Sequence, residues 1–193
     1  MGLVNNSEKK ILYISSVLPG TTSGGRLAMY RHLIKKNNFT VAVASATKGE
    51  SFVDAHLEIR SHRVVARLKR TRFTRWIVNI EYLLNWIFLP RELVRFAEEY
   101  MPDLVVCVVD DWHMGLAWQI TRRLKLPLVV NFQDLFCLSQ FVSKSTRPFS
   151  CLIPFLKGRY QMLAQKATQA FYTSEGMRNW FGRDFQGDIL YPV

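Results

Sequence analysis

Acidic residues are scarce in this 193-residue sequence, and long apolar runs are missing from it. Asp and Glu total 15 against 26 Lys and Arg, a formal net charge of +11, so we expect the surface to attract phosphate, nucleic acid or anionic membranes. No apolar run approaches the roughly 20 residues that a membrane-spanning helix needs, and the polar start MGLVNNSEKK is unlike a signal peptide. These absences predict a cytoplasmic protein that is at most peripheral at the inner face of the membrane.

Cysteine is also scarce, which bears on the compartment and on metal binding. Cys107, Cys137 and Cys151 form neither an even set for disulfides nor a cluster with metal-ligand spacing. Cys107 lies within a valine run and is expected to be a small core residue. The pattern favours a reducing compartment and predicts no cysteine-based metal site.

Short apolar runs rich in β-branched residues alternate with helical patterns along the whole chain. Helices are predicted from about Gly25 to Lys36, from near Trp112 and from Ser174. Continuous apolar runs of this kind are typical of strands that crossover helices bury on both faces. The sequence therefore predicts an α/β fold with a doubly wound, Rossmann-like parallel sheet in a single domain over 1–193. The predicted strands are KILYISSV, FTVAVAS, DLVVCVV, PLVVNF and QAFYTS.

The loop after the first strand carries Gly24 and Gly25, followed by Arg26 at the start of a predicted helix. In a doubly wound sheet, ligands bind beyond the carboxyl ends of the strands, where helix N-termini present free N–H groups to anions. The loop contains neither G-x-G-x-x-G nor the P-loop pattern. Two interpretations remain open: close backbone approach to a ligand, or simply a tight strand-to-helix turn.

Polar residues follow three other predicted strands at the same edge. Asp111 and His113 follow VVCVV, Asp134 follows PLVVNF, and Ser174 and Glu175 follow the last strand. His113 could hydrogen-bond a sugar or phosphate or carry a proton, or it could belong to a capping network. Asp134 could be a turn residue, and Ser174 with Glu175 has the pattern of a helix N-terminus.

The order of SGG loop, DWH, PLVVNFQD, QAFYTSEGM and ILYPV resembles the N-terminal half of a GT-B glycosyltransferase, of the retaining family that includes glycogen synthases and mannosyltransferases. The resemblance implies two Rossmann-like halves, the first holding the acceptor and the second the nucleotide-sugar, with no essential metal and no cofactor. It implies that Gly24 and Gly25 approach the donor diphosphate and that His113 contacts the transferred sugar. Candidate cleft residues are Arg26, Asp111, Asp134, Ser174 and Glu175.

The donor-binding half of that family has no counterpart within these 193 residues. We therefore expect the chain to be the acceptor-side half and to turn over poorly alone, because the cationic groups that stabilise the diphosphate belong to the other half. The expected acceptor is a cell-surface or lipid-linked glycan. The glycine loop lacks the extended pattern of glycogen synthases, so a glucan acceptor is not implied.

A basic and aromatic helical segment over about 60–96 appears as an insertion. Between Arg60 and Arg75 there are seven Lys or Arg residues and no acid, and an aromatic and aliphatic helix follows. This combination is typical of a helix that lies on an anionic membrane. The alternative is an ordinary core helix from Trp76 to Leu89 with a solvated arginine face. The predicted membrane-surface residues are Arg67, Lys69, Arg70, Arg72, Arg75 and Trp76.

Two functions without catalysis stay open beside the transferase. One is a nucleic-acid-binding module, which the charge suggests but which lacks a recognition helix, a zinc motif or an aromatic platform. The other is a membrane-docking scaffold with a Rossmann-like body. Nucleic acid is the less favoured partner, because the charge is concentrated in one segment.

Overall fold

The computed structural model describes residues 8–16, 18–22, 24–35, 39–46, 53–59, 63–109, 113–133, 147–182 and 186–190. These residues form a parallel seven-stranded sheet of order β3-β2-β1-β4-β5-β6-β7. The strands are β1 (Lys9–Ile14), β2 (Phe39–Ser45), β3 (Ala55–Glu58), β4 (Leu104–Val108), β5 (Leu128–Phe132), β6 (Gln169–Tyr172) and β7 (Asp188–Ile189). The predicted α/β, Rossmann-like fold class is confirmed.

Seven α-helices accompany the strands in the described part of the chain. A single π-helical turn, Arg31–Lys35, follows the first helix directly, and a short 3-10 turn, Ser150–Leu152, precedes the sixth. The helices are α1 (Gly24–Tyr30), α2 (Arg63–Leu68), α3 (Thr74–Leu84), α4 (Arg91–Tyr100), α5 (His113–Leu124), α6 (Ile153–Lys166) and α7 (Glu175–Phe181).

Both faces of the sheet are buried, as its continuous apolar strands predict. On one face, Leu12 and Ile14 of β1 pack in a large core with residues from α4, α5, α6 and α7. On the other face, Ile11 and Tyr13 pack with Met29 of α1. The alternation of side chains along a strand sends neighbouring residues to opposite cores, so a strand buried on both sides must be apolar throughout. Cys107 is 1% exposed within the first core, as expected.

The strand order reverses direction between β1 and β4. The chain moves outward from β1 through β2 to β3, then returns through α2, α3 and α4 to place β4 on the other side of β1. In sheets of this topology the loops that leave two such strands at their carboxyl ends diverge, and a crevice is expected between them. This switch point is the place in the fold where a ligand site is expected.

The segment predicted as an insertion divides into two parts. Within α4, Leu93 and Ala97 are fully buried in the main core, so this helix is a normal crossover element that enters β4. The helices α2 and α3 precede it and contribute much less to that core. The described helix over this region, Thr74–Leu84, is shorter than the apolar run from Trp76 to Leu89, which continues through a turn.

Candidate functional site

The carboxyl edge of the sheet brings together the ends of β1, β4, β5 and β6. At the switch point Ser15, which is fully buried, donates from Oγ to the carbonyl oxygen of Val108 at 3.4 Å and so joins β1 to β4. At the next junction Thr173 donates from Oγ1 to the carbonyl oxygen of Gln133 at 3.2 Å and joins β5 to β6. Hydroxyl groups thus tie neighbouring strand ends together at the base of the loops.

The glycine loop is held in place by Arg26. Its Nε donates to the carbonyl oxygen of Leu18 at 3.1 Å, and its Nη1 donates to Thr22 Oγ1 at 3.1 Å. The N–H of Gly20 in turn donates to the Arg26 carbonyl at 3.1 Å. A Cβ atom at Gly20 would lie 2.9 Å from Arg26 Nη2, so this glycine makes room for the guanidinium. Arg26, predicted as a cleft residue, therefore acts as a brace between the loop and α1.

Gly24 and Gly25 are the first two residues of α1. They stand where the chain leaves β1 and enters the helix, as the sequence predicted. The first N–H groups of a helix have no intrahelical partner, so the backbone here can donate to an anion. The helix that follows was predicted to end at Lys36, and its described part ends at Lys35 after the π-helical turn.

His113 is the first residue of α5 and is fully buried. Its position after β4 agrees with the predicted location at the carboxyl edge. No part of the side chain is open to solvent, so direct contact with a sugar requires the surrounding residues to move. Asp111 and Asp134, the predicted partners at this edge, lie outside the described residues.

Ser174 and Glu175 form the N-terminus of α7. Ser174 accepts a hydrogen bond from the Met177 N–H at 3.1 Å through Oγ, and Glu175 is exposed in the first turn. The predicted helix cap is confirmed. Both side chains lie at the carboxyl edge, and the Ser174 hydroxyl is already engaged by the helix.

The predicted membrane-surface residues fall into two groups. Arg67, Arg70, Arg72 and Trp76 are exposed. Lys69 forms a salt bridge with Glu81 at 2.6 Å, and Arg75 donates to the carbonyl oxygens of Arg147 and Pro148 at 3.1 and 3.4 Å. The first group faces outward and the second holds the segment together.

Asn131, a residue that the sequence did not single out, is a buried polar group of β5. It is 3% exposed and donates from Nδ2 to the sulfur of Met29 at 3.6 Å, linking β5 to α1. It lies beside a cavity of about 350 Å³ on the second face of the sheet, lined mainly by apolar side chains such as Ile11 and Leu33. A polar residue within the apolar strand PLVVNF was the sequence feature that could have pointed to it.

Two further observations concern metals and membranes. Among the described residues, no group of three or more His, Cys, Asp or Glu is arranged to hold a metal ion. The described helices also include none with the length and apolar character needed to cross a bilayer.

The sequence matches no protein-family model, and no curated protein is significantly similar to it. Solved structures, in contrast, match in fold. Phytolacca americana UGT2, in complex with UDP-2fluoro-glucose and pterostilbene, superposes with a TM-score of 0.54 at 12% identity over 95% of this chain and 53% of its own.

Two UDP-N-acetylglucosamine 2-epimerases also match. One superposes with a TM-score of 0.52 at 12% identity, covering 93% of this chain and 46% of its own. The enzyme from Rickettsia bellii has a TM-score of 0.50 at 14% identity, covering 95% and 44%. The likeness establishes a shared Rossmann-like fold of GT-B type, and the chain spans about half the length of these proteins.

Proposed function

We propose that this chain is the acceptor-side half of a GT-B glycosyltransferase, which transfers a sugar from a nucleoside diphosphate donor to an acceptor hydroxyl. The observation that carries the proposal is the reversal of strand order between β1 and β4, with the α1 N-terminus following β1 and His113 following β4 at the same edge. Similarity in fold to a protein solved with a UDP-sugar derivative and a second compound supports it. In this proposal a second domain supplies the main donor contacts.

The backbone at Gly24 and Gly25 is proposed to donate to the donor diphosphate. Glycine allows an anion to approach the chain closely, and the α1 dipole favours negative charge at this end. The Arg26 brace supports this role, because a loop that is fixed beforehand loses little conformational entropy when the ligand binds. The guanidinium itself then acts by positioning the loop.

His113 is proposed to hydrogen-bond the transferred sugar near its reacting carbon. Because the side chain is enclosed, this contact requires the edge to open or to rearrange as the domains close on the substrates. Asp111, Asp134, Ser174 and Glu175 are proposed to border the acceptor. Of these, Ser174 and Glu175 are the two whose exposure at the edge supports the assignment.

The finer assignments rest on the sequence resemblance alone. They are transfer with retention, independence from metal, membership of the glycogen synthase and mannosyltransferase family, and a cell-surface or lipid-linked glycan as acceptor. A second candidate function, rearrangement of a nucleotide-sugar without an acceptor, is favoured by the fold similarity to two epimerases.

The test is turnover of the complete gene product, of which these residues are at least a part. A panel of UDP-, GDP-, ADP- and TDP-sugars is incubated with a lipid and glycan extract, and release of the nucleoside diphosphate is measured. We expect one donor to be consumed only when the extract is present. If the nucleoside diphosphate is released at the same rate with and without every extract fraction, transfer to an acceptor is contradicted.

His113→Ala tests the proposed sugar contact. We expect the turnover to fall by at least roughly a hundredfold, as for loss of a group that acts on the reacting centre. His113→Gln keeps most of the side-chain volume and a polar end. It separates a loss of turnover caused by the missing imidazole from one caused by poorer packing. The matched control is Thr121→Val on the same helix, whose buried hydroxyl donates to the Ala117 carbonyl at 2.7 Å.

We expect Thr121→Val to keep the wild-type turnover. If His113→Ala lowers turnover only in proportion to the folded fraction seen by circular dichroism, the residue has a structural role and the proposed contact is wrong.

A further inference from the structure

One face of α3 and the turn after it expose a continuous set of large apolar side chains. We call this set the apolar row. On α3 its members are spaced by three or four residues, which puts them on a single helix face. Each is between 40% and 66% exposed. The apolar row consists of Phe73, Trp76, Ile80, Leu84, Ile87 and Phe88.

The opposite face of α3 is fixed to the body of the protein. Asn79, which is 2% exposed, accepts a hydrogen bond at Oδ1 from the Phe149 N–H at 2.7 Å. The carbonyl oxygen of Asn85 accepts a hydrogen bond from Gln119 Nε2 at 2.7 Å, which anchors the other end of the helix to α5. Since α3 is held at its middle and at its C-terminal end, turning the apolar row inward would break these bonds.

Three exposed arginines lie at the N-terminal end of the apolar row. They are Arg67 at the end of α2 and Arg70 and Arg72 in the turn before α3. The Arg72 guanidinium lies 5.1 Å from the centre of the Phe73 ring, so charge and apolar surface are in contact. No carboxylate among the described residues forms a salt bridge with any of the three.

The helix that carries this surface packs near the carboxyl edge of the sheet. Gly115, in the first turn of α5 just after β4, would bring a Cβ within 2.5 Å of the Asn85 carbonyl, so the end of α3 touches the start of α5. The N-terminal part of α3 bonds to residues 147–149, which lead into α6 after β5. The first contact is made where the chain leaves β4, and the second is made just before the N-terminal end of α6.

We propose that the apolar row and the three arginines dock the protein on an anionic lipid bilayer. The apolar side chains enter the boundary between headgroups and acyl chains, while the guanidinium groups bind lipid phosphates. The pairing of exposed apolar residues with unpaired positive charge selects this partner. A nucleic acid would cover the arginines but would leave Ile80, Leu84 and Ile87 without a base to stack on, since aliphatic side chains are not stacking platforms.

A protein partner is the other alternative. Protein interfaces also combine arginine with aromatic side chains, so the experiment below separates a lipid surface from a second protein surface. The docking proposal is independent of the transfer reaction. It would place the carboxyl edge close to the membrane surface.

The test is flotation with lipid vesicles of two compositions. One is phosphatidylcholine alone, and the other is an equimolar mixture of phosphatidylcholine and phosphatidylglycerol. We expect the protein to float with the anionic vesicles, to stay behind with the neutral ones, and to be released as salt screens the charges.

Two variants divide the surface into its parts. Changing Arg67, Arg70 and Arg72 together to Ala is expected to lower the affinity for anionic vesicles by roughly a hundredfold, on the scale known for basic residues at such surfaces. Changing Trp76 and Ile80 together to Ser should lower it by at least about tenfold, because two apolar side chains no longer leave water.

The matched control removes three positive charges from the opposite edge of the sheet. Lys9 begins β1, Lys125 follows α5 and Lys166 ends α6, and all three are exposed. Their joint change to Ala lowers the net charge by the same amount, and we expect vesicle binding to persist. If this control lost as much vesicle binding as the arginine variant, binding would depend on net charge alone, and the proposal would be overturned.

Other outcomes would assign the surface to another partner. Unchanged vesicle binding after the Trp76 and Ile80 changes would exclude insertion of the apolar row. Arginine-dependent binding of single-stranded RNA without vesicle binding would assign the surface to nucleic acid. A dimer that the same two serine changes dissolve, without vesicle binding, would assign it to a second copy of the chain. Each result would overturn membrane docking.

Discussion

The contact between α3 and α5 predicts opposite effects for the same substitution at two helical glycines. At Gly115 a Cβ atom would lie 2.5 Å from the carbonyl oxygen of Asn85 and 2.9 Å from its carbonyl carbon. These are backbone atoms, so the end of α3 must shift to admit the methyl group. Such overpacking costs about 1–3 kcal/mol, against a gain of at most about 1 kcal/mol in helix propensity. We expect Gly115→Ala to lower the free energy of unfolding by about 1–2 kcal/mol.

Gly158 on α6 is the control, because beyond its own stretch of helix backbone nothing lies within 4 Å of the position that its Cβ would take. There the same change should raise the free energy of unfolding by about 0.5–1 kcal/mol, through lower entropy of the unfolded chain and better helix propensity. Urea denaturation followed by circular dichroism measures both. If Gly115→Ala were as stabilising as Gly158→Ala, the close packing of α3 on α5 would be refuted.

Two further substitutions probe a cap and a buried phenol. Ser174→Ala removes the oxygen that accepts a hydrogen bond from the Met177 N–H. We expect the free energy of unfolding to fall by about 1 kcal/mol, seen as a fall in Tm of roughly 2–4 °C. A Tm equal to that of the wild type would contradict the helix cap. Burial, aided by the nearby Asp54 carboxylate, raises the pKa of Tyr100 to about 12. Its neutral form is therefore favoured by folding, and the associated stability is present below about pH 10 and lost as the pH rises from about 10 to about 12. Tyr100 is only half-buried, so solvent screening weakens the effect, and over that range the wild type should lose on the order of 1 kcal/mol more than Tyr100→Phe, in which other titrating groups are unchanged. Parallel pH profiles would argue against the shift.

The five strands that the sequence predicted are those with continuous apolar runs. The two that it did not predict, β3 and β7, carry AHLE and DI and lie at the two edges of the sheet. An edge strand has one neighbour and less burial, so its residues need not be apolar and the pattern that signals a strand is absent. Sequence patterns therefore predict the centre of this sheet better than its margins.

For the candidate site, the sequence could predict positions along the chain but not the direction of side chains. His113 follows β4 as predicted, yet its side chain points into the protein and is fully buried. Arg26 follows the glycines, yet its guanidinium folds back onto Leu18 and Thr22. A shift of one residue in the start of a helix rotates a side chain by about 100° around the helix axis. Sequence spacing alone therefore could not distinguish a side chain that contacts a ligand from one that braces the loop.

The exposed apolar row required the structure for a similar reason. An aromatic helix of this composition is compatible with burial or with a membrane surface, and the sequence left both open. Packing shows which residues are buried and which are exposed: Val78, Asn79 and Tyr82 face the body, while Trp76 and Ile80 face outward. Contact of the exposed residues with a membrane stays a proposal.

The most direct test of the central claim is whether an acceptor gains the mass of a sugar. The complete gene product is incubated with the nucleotide-sugar that it consumes and with the extract that supports turnover, and the products are analysed by mass spectrometry. We expect an acceptor heavier by one glycosyl residue for each nucleoside diphosphate released, with the increase lost in His113→Ala. An altered nucleotide-sugar with no heavier acceptor would show rearrangement instead of transfer and would contradict the proposed function.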